Sequence, residues 1–204
     1  MIPKLVALGR LCLQLGRVNR ATFHEDGTRP ETDTDHAVML ATVACSFAAE
    51  YARHLDLGLV AQFSIVHDHV EAHAGDTMTL VVSDEAGLAA KRDREVAGLE
   101  KIADEFGGSL PWLPAMIVAY ESQSTPEARF VKILDKVMPC ITHLLNGGAT
   151  LRAHGVGLAQ LDAVHTAQRR KLGHSIGYDQ PEALHLLAQI HTELLEQMAA
   201  AGIK

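Results

Sequence analysis

Cysteine is scarce in this chain, and what there is does not pair: Cys12, Cys45 and Cys140 stand apart in apolar stretches, odd in number and with no CxxC spacing. That excludes a disulfide framework and a zinc knuckle, and predicts small buried thiols in a reducing compartment. A basic excess is missing as well. Lys and Arg number 18 against 25 Asp and Glu, for a formal net charge of −7 with no basic tail. A stable complex with long nucleic acid, which needs many phosphates neutralised, is therefore not expected, whereas one or two arginines in a pocket suffice for a small phosphorylated molecule. No stretch approaches the roughly 18 consecutive apolar residues of a membrane span. The apolar start, MIPKLVALGRLCLQLGR, is broken by Arg10 and spaced amphipathically, so it reads as a first helix and not as a secretory signal. These absences predict a cytoplasmic protein without a membrane partner. Internal repeats, low-complexity linkers and convincing period-two alternation are also lacking, which removes solenoids and extended sheets.

What remains is helical. Hydrophobic residues make up 48% and charged residues 21% of 204, the balance of an ordinary globular chain. Apolar residues recur at helical spacing nearly throughout, so the fold class is all-α, with helices predicted at about 2–17, 35–54, 57–69, 85–106, 112–122, 127–146, 156–172 and 181–201. One domain over residues 1–204 is expected, with 150–204 a C-terminal helical extension packed on it. Two polar connections are unusually long for a helical bundle: residues 20–34, RATFHEDGTRPETDT, and residues 72–83, AHAGDTMTLVVS. Long loops in compact domains are often functional, and both flank the same polar residues.

Those residues are histidines and acids at positions that should face the core. His36 heads a stripe of His36, Leu40, Val43, Phe47 and Tyr51. Alone it reads as a core histidine bonded to backbone. In LGLVAQFSIVHDHVEAHAGD, the residues Val60, Phe63, His67 and Glu71 share one helical face, with Asp68 beside His67. Asp135 lies on the stripe Ala128, Val131, Asp135, Met138, Thr142, where a carboxylate is costly unless paired, protonated or bound to metal. A salt bridge to Lys132 or Lys136 is the plain structural alternative. Two imidazoles and two carboxylates form a mixed nitrogen and oxygen set suited to a divalent transition ion, Mn, Co, Fe, Ni or Zn.

The ordered set His36, His67-Asp68, Asp135 resembles the HD-domain metal-dependent phosphohydrolases. Its context, TDTDH, HDHVEAHAGD and FVKILDKV, is similar to the branch of bacterial 5'-deoxynucleotidases and related small nucleotide hydrolases. The resemblance covers roughly residues 10–145. It implies a compact HD helical bundle, metal ligation by His36, His67, Asp68 and Asp135, and catalytic acids at Glu71 and Asp76. It also places a phosphate-holding arginine at Arg20, with Arg29 in the same loop as a second candidate. Where the deoxynucleotidase pattern continues with tryptophan this chain has Ala21, so nucleotide selectivity does not transfer with the hydrolytic residues.

The implied reaction is metal-dependent hydrolysis of a deoxynucleoside 5'-monophosphate to nucleoside and phosphate. The alternatives are a dNTP triphosphohydrolase and a non-catalytic nucleotide-binding HD module. A homodimer or higher homo-oligomer is expected. The other histidines read as ordinary: His24 and His69 as solvated, His73 as a loop residue, and His143, His154, His165, His174, His185 and His191 as sharing no ligand spacing. The last helix is predicted to bury Leu184, Leu187, Ile190 or His191, and Leu194 along one side.

Overall fold

The structure, a computed structural model, describes residues 1–78 and 85–204. Helix α1 (Ile2–Leu15) accommodates Pro3 in its first turn and ends at Gly16, whose amide donates to the Cys12 carbonyl. A short antiparallel hairpin follows, β1 (Asn19–Phe23) and β2 (Pro30–Thr32), with Asn19 opposite Thr32 and Phe23 opposite Pro30. Its turn is made by Asp26, whose side chain accepts from the amides of Thr28 and Arg29, and by Gly27 at φ +71°. This corrects the expectation of an irregular loop over residues 20–34. Strands of five and three residues are too short for alternation to register in the sequence.

The remaining elements are α2 (Asp33–Tyr51), α3 (Leu57–Val66), α4 (Glu71–Ala74), α5 (Glu85–Phe106), α6 (Trp112–Glu121), α7 (Pro126–Leu145), α8 (Ala149–Ala153), α9 (Leu158–Ser175) and α10 (Pro181–Ala200), with a 3₁₀ turn at Gly177–Asp179. The helix expected over 57–69 stops at Val66, and α8 had no counterpart in the sequence reading. The part of the expected 72–83 loop that falls at 79–83 lies outside the described residues. Among the described residues no helix is long and apolar enough to cross a membrane.

Local chemistry explains the starts of the helices that matter most. Thr32 caps α2 by accepting the Asp35 amide, while the Asp35 side chain accepts the Thr32 amide. Asp56 caps α3 through the amides of Gly58 and Leu59, and Thr125 caps α7 through Ala128. Helix α7 is the central strut. Phe130, Ile133, Leu134 and Met138 are fully buried, and the helix packs against α2, α3, α6 and α10. It runs on through Pro139.

Among the described residues, three apolar clusters fill the interior. One joins α2, α3, α6, α7 and α10 around Leu40, Phe63, Phe130 and Leu187. A second joins α1, α5 and α6 to the residues after α3, around Leu11, Val66, Ile102 and Phe106. The third, around Leu151, Leu161, Leu194 and Met198, fastens α8, α9 and α10 to the far end of α7. The stripe expected on α2 is corrected: Leu40, Ala44 and Ala48 are buried, whereas Tyr51 is exposed and Val43 and Phe47 are half-buried. Small alanines allow α3 to approach α2 closely, so the face of contact follows Ala44 and Ala48 and not the larger residues. Gly98 does the same for α5. A Cβ there would stand 2.8 Å from the Val70 carbonyl oxygen.

Candidate metal centre

The capped start of α2 presents His36, the end of α3 presents His67 and Asp68, and the middle of α7 presents Asp135. Ligand atoms of His36, His67 and Asp135 all lie within 4.8 Å of one another, and all three residues are buried. His36 Nε2 is 3.0 Å from Asp135 Oδ1, and His67 Nε2 is 3.7 Å from the same oxygen. Asp68 Oδ2 lies 2.9 Å from His67 Nε2 and 3.9 Å from His36 Nε2. The structure therefore brings together the four residues expected to hold metal. Asp68 stands at the edge, because it also belongs to a second acidic group with Asp33 and Glu71.

The orientation of the rings is informative. His67 Nδ1–H donates to the Ser64 carbonyl at 2.9 Å, which leaves Nε2 facing the carboxylates. That buried nitrogen makes no well-aligned hydrogen bond among the described residues, although Asp68 Oδ2 is 2.9 Å away. His36 is caught between acids, with Glu31 Oε1 3.4 Å from Nδ1 and Asp135 Oδ1 at Nε2. Burial and the Arg20 charge oppose its protonation, but Asp135 and Glu31 outweigh them and raise its pKa to about 9. Asp135 would be driven up by burial. Lys136, then the two histidines, instead hold it well below the usual carboxylate range.

The two oxygens of Asp135 have different partners. Oδ2 accepts from Lys136 at 2.7 Å, the salt bridge foreseen as an alternative, while Oδ1 faces the histidines. Carboxylates outnumber cations in this region: Glu31, Asp33, Asp68, Glu71, Asp76 and Asp135 surround Arg20, Lys91 and Lys136. Such a set of lone pairs converging on one buried spot fits a divalent cation.

Glu71 is 4% exposed. Burial first, then the charges of Asp68, Asp76 and Asp33, push its carboxyl up to about 11, against Lys91 at 3.7 Å. Asp76 is half-buried in the segment after Gly75, which Arg94 ties down by donating to the Ala74 carbonyl and the Thr77 hydroxyl. Arg20 on β1 reaches the same place, with Nη1 3.1 Å from both Asp33 and Asp68. Arg29 does not. Its side chain is 60% exposed on the hairpin, 3.8 Å from Asp35.

Several residues here were not anticipated. Asp33 is fully buried, and burial followed by the Asp68 charge raises its pKa to about 6. Its signal was present in TDTDH, three residues before His36 and so on the same helical face. Glu31, Lys91 and Tyr120 carried no such signal. The Tyr120 ring meets His67 edge-on at 5.9 Å. His69 corrects the sequence reading: it is 7% exposed and not solvated. The expected 200° rotation assumed an ideal helix, whereas residues 67–70 form a turn in which the His69 amide bonds back to Val66.

Comparison with known proteins adds the following. The model of the HD domain family matches residues 12–175. The chain is 30% identical over 129 residues to 5'-deoxynucleotidase HDDC2 of Bos taurus, a match covering 62% of this chain and 60% of the bovine one. It is 27% identical over 195 residues to 5'-deoxynucleotidase HDDC2 of Homo sapiens, covering 95% and 87%. Among solved structures, a protein named as a predicted metal-dependent phosphohydrolase from Magnetospirillum magnetotacticum MS-1 superposes with a TM-score of 0.71. That alignment has 24% identity and covers 95% of this chain and 96% of the other. At that identity the likeness concerns the fold.

Proposed function

Because the chain belongs to the HD domain family, we propose that it is a metal-dependent phosphohydrolase acting on deoxynucleoside 5'-monophosphates, with His36, His67, Asp68 and Asp135 holding the ion. The observation that carries this reading is the buried convergence of His36, His67 and Asp135, whose ligand atoms lie within 4.8 Å of one another with Asp68 at their edge. The names of the bovine and human relatives point to the same substrate class.

A divalent ion at this position supplies positive charge that polarises a phosphoryl group and eases the deprotonation of water. The chain's own residues do the rest. Arg20 is held by Asp33 and Asp68 beside the ligands, and its Nε has no hydrogen-bond partner among the described residues, so it can donate to a phosphate oxygen. Glu71 is the proton carrier. Burial, then its surrounding acids, favour the protonated form and Lys91 pulls the other way, so the carboxyl stands as a proton donor beside the ligands. Asp76 lies close enough for its charge to act on Arg20, Asp33 and Glu71. Ala21, on β1 next to Arg20, leaves the nucleotide side without the tryptophan of the deoxynucleotidase pattern.

The test is a panel of deoxy- and ribonucleoside mono- and triphosphates offered to protein stripped of metal and reloaded with Mn²⁺, Co²⁺, Fe²⁺, Ni²⁺ or Zn²⁺, with products separated by ion exchange. Metal-dependent release of orthophosphate from deoxynucleoside monophosphates is expected. Release of intact triphosphate would make the protein a triphosphohydrolase, and no turnover with any ion would leave it a binding module.

A further inference from the structure

A second group of metal-ligating side chains lies further along α7, toward its C-terminal end. Cys140 on α7, His165 on α9 and His191 on α10 each direct one ligand atom to a common point, and those atoms lie within 4.8 Å of one another. Cys140 and His191 are 1% exposed and His165 is 6% exposed. Cys140 belongs to the apolar cluster of Leu151, Leu161, Leu194 and Met198, and the charge of Arg169 acts on both histidines. The rings of His165 and His191 stack, 4.0 Å between centroids and 15° between planes. His165 Nδ1 and both ring nitrogens of His191 have no hydrogen-bond partner among the described residues.

That combination needs an explanation. A neutral imidazole carries one N–H and one lone pair, and burying either without a partner is unfavourable. Two stacked imidazoles in an apolar pocket would ordinarily be replaced by aliphatic side chains. The HD residues do not account for them, since Cys140 lies five positions after Asp135 and so about 140° around α7. From the three converging donors we infer that Cys140, His165 and His191 bind a structural Zn²⁺, separate from the HD centre, that clamps α9 and α10 to α7.

The chemistry suits that ion. A thiolate with two imidazoles is a borderline-soft donor set typical of zinc, and it excludes the hard cations that prefer oxygen. Burial, then Arg169, pushes His165 down to about 4, and burial, then His165 and Arg169, pushes His191 down to about 3, so both are neutral donors at neutral pH. The Cys140 thiol lies 3.6 Å from the Lys136 carbonyl oxygen as a donor. Binding replaces that S–H bond with S–Zn and releases the proton to solvent. The two rings must tilt apart from their stack for their lone pairs to converge. His143, the next imidazole along α7, is fully buried and also without a partner among the described residues, but it is not one of the three converging donors.

Cobalt substitution separates the two centres, because only this one contains sulfur. The full-length protein loaded with Co²⁺ should show a sulfur-to-cobalt charge-transfer band in the near ultraviolet and bind one ion more than the HD centre accounts for. Asp135→Ala should lose one equivalent and keep the band. Cys140→Ser and His191→Ala should each lose the band while keeping the other equivalent. In the Asp135→Ala background, Zn²⁺ should raise Tm, and adding Cys140→Ser should abolish that rise. Wild-type protein without the band overturns the proposal whether or not the variants fold, and so does a band that survives Cys140→Ser. Neither result depends on phosphohydrolase activity.

Discussion

The two oxygens of Asp135 meet different partners, Lys136 at one and the histidine pair at the other, so the residue compensates its own burial and leaves half of its carboxylate for an ion. Removing it takes away a ligand and a charge together. Asp135→Ala is expected to lose activity and the one equivalent of metal held beside His36 and His67 while its far-ultraviolet circular dichroism stays helical; a metal content equal to that of the wild type would show that this ion sits elsewhere. Glu71→Gln should behave in the opposite way. Its amide fills the same space but cannot exchange a proton, so metal content should persist while kcat falls on the order of 10²–10⁴-fold. Near-normal kcat would remove Glu71 from proton transfer. Asp135 was legible as an acid on an apolar stripe, and Glu71 as a residue one turn from His67. Glu31 was not, because it reaches His36 only after the hairpin folds back on α2.

Helix α2 is positioned from its first turn, where Thr32 and Asp35 exchange hydrogen bonds and His36 follows directly. Thr32→Ala should cost about 1 kcal/mol of stability, read from urea unfolding midpoints. If the cap also orients His36, metal affinity should weaken by up to about fivefold in calorimetric titration. Unchanged affinity alongside lowered stability would mean that packing against α7 alone holds the ring. At this scale the sequence was most readable where an element was long. Helix α5 ends where periodicity placed it, at Phe106. The hairpin and α8 escaped notice because each is too short to complete a hydrophobic period.

Buried histidines couple the stability of the whole molecule to pH. His143 is fully buried, and burial followed by the charge of His165 lowers its pKa to about 4. Unfolded, the ring titrates near 6.5, so the unfolded chain binds the extra proton first as pH falls. The contribution of His143 is thus fully present above about pH 6.5 and is lost progressively toward pH 4. Between pH 7 and pH 5 the loss should be about 2 kcal/mol. His143→Leu should flatten that part of the profile, measured by urea unfolding with a chelator present so that metal affinity does not enter. An equal slope in the variant would place the acid sensitivity in other groups. The third apolar cluster, which joins α8, α9 and α10 to α7, is the region where this acid loosening should begin.

Local patterns determined the helical class, the central place of Asp135 on its stripe and the ordered histidine and aspartate set, because each depends on spacing within one helix. On α10 the pattern left Ile190 and His191 as equal candidates for the buried face, and packing against α7 and α9 chose His191. Cys12 was expected to be buried and is exposed, since α1 covers the body through Leu11 and Leu15 and turns Cys12 outward. Only the tertiary structure decided which polar residues share a site. Arg20 joined the acids and Arg29 did not, and Cys140, His165 and His191, with no common spacing in the chain, came together from three helices. The physical reason is the same in each case: spacing within a helix fixes a direction, while the distance between side chains on different elements is set by how closely the backbones pack.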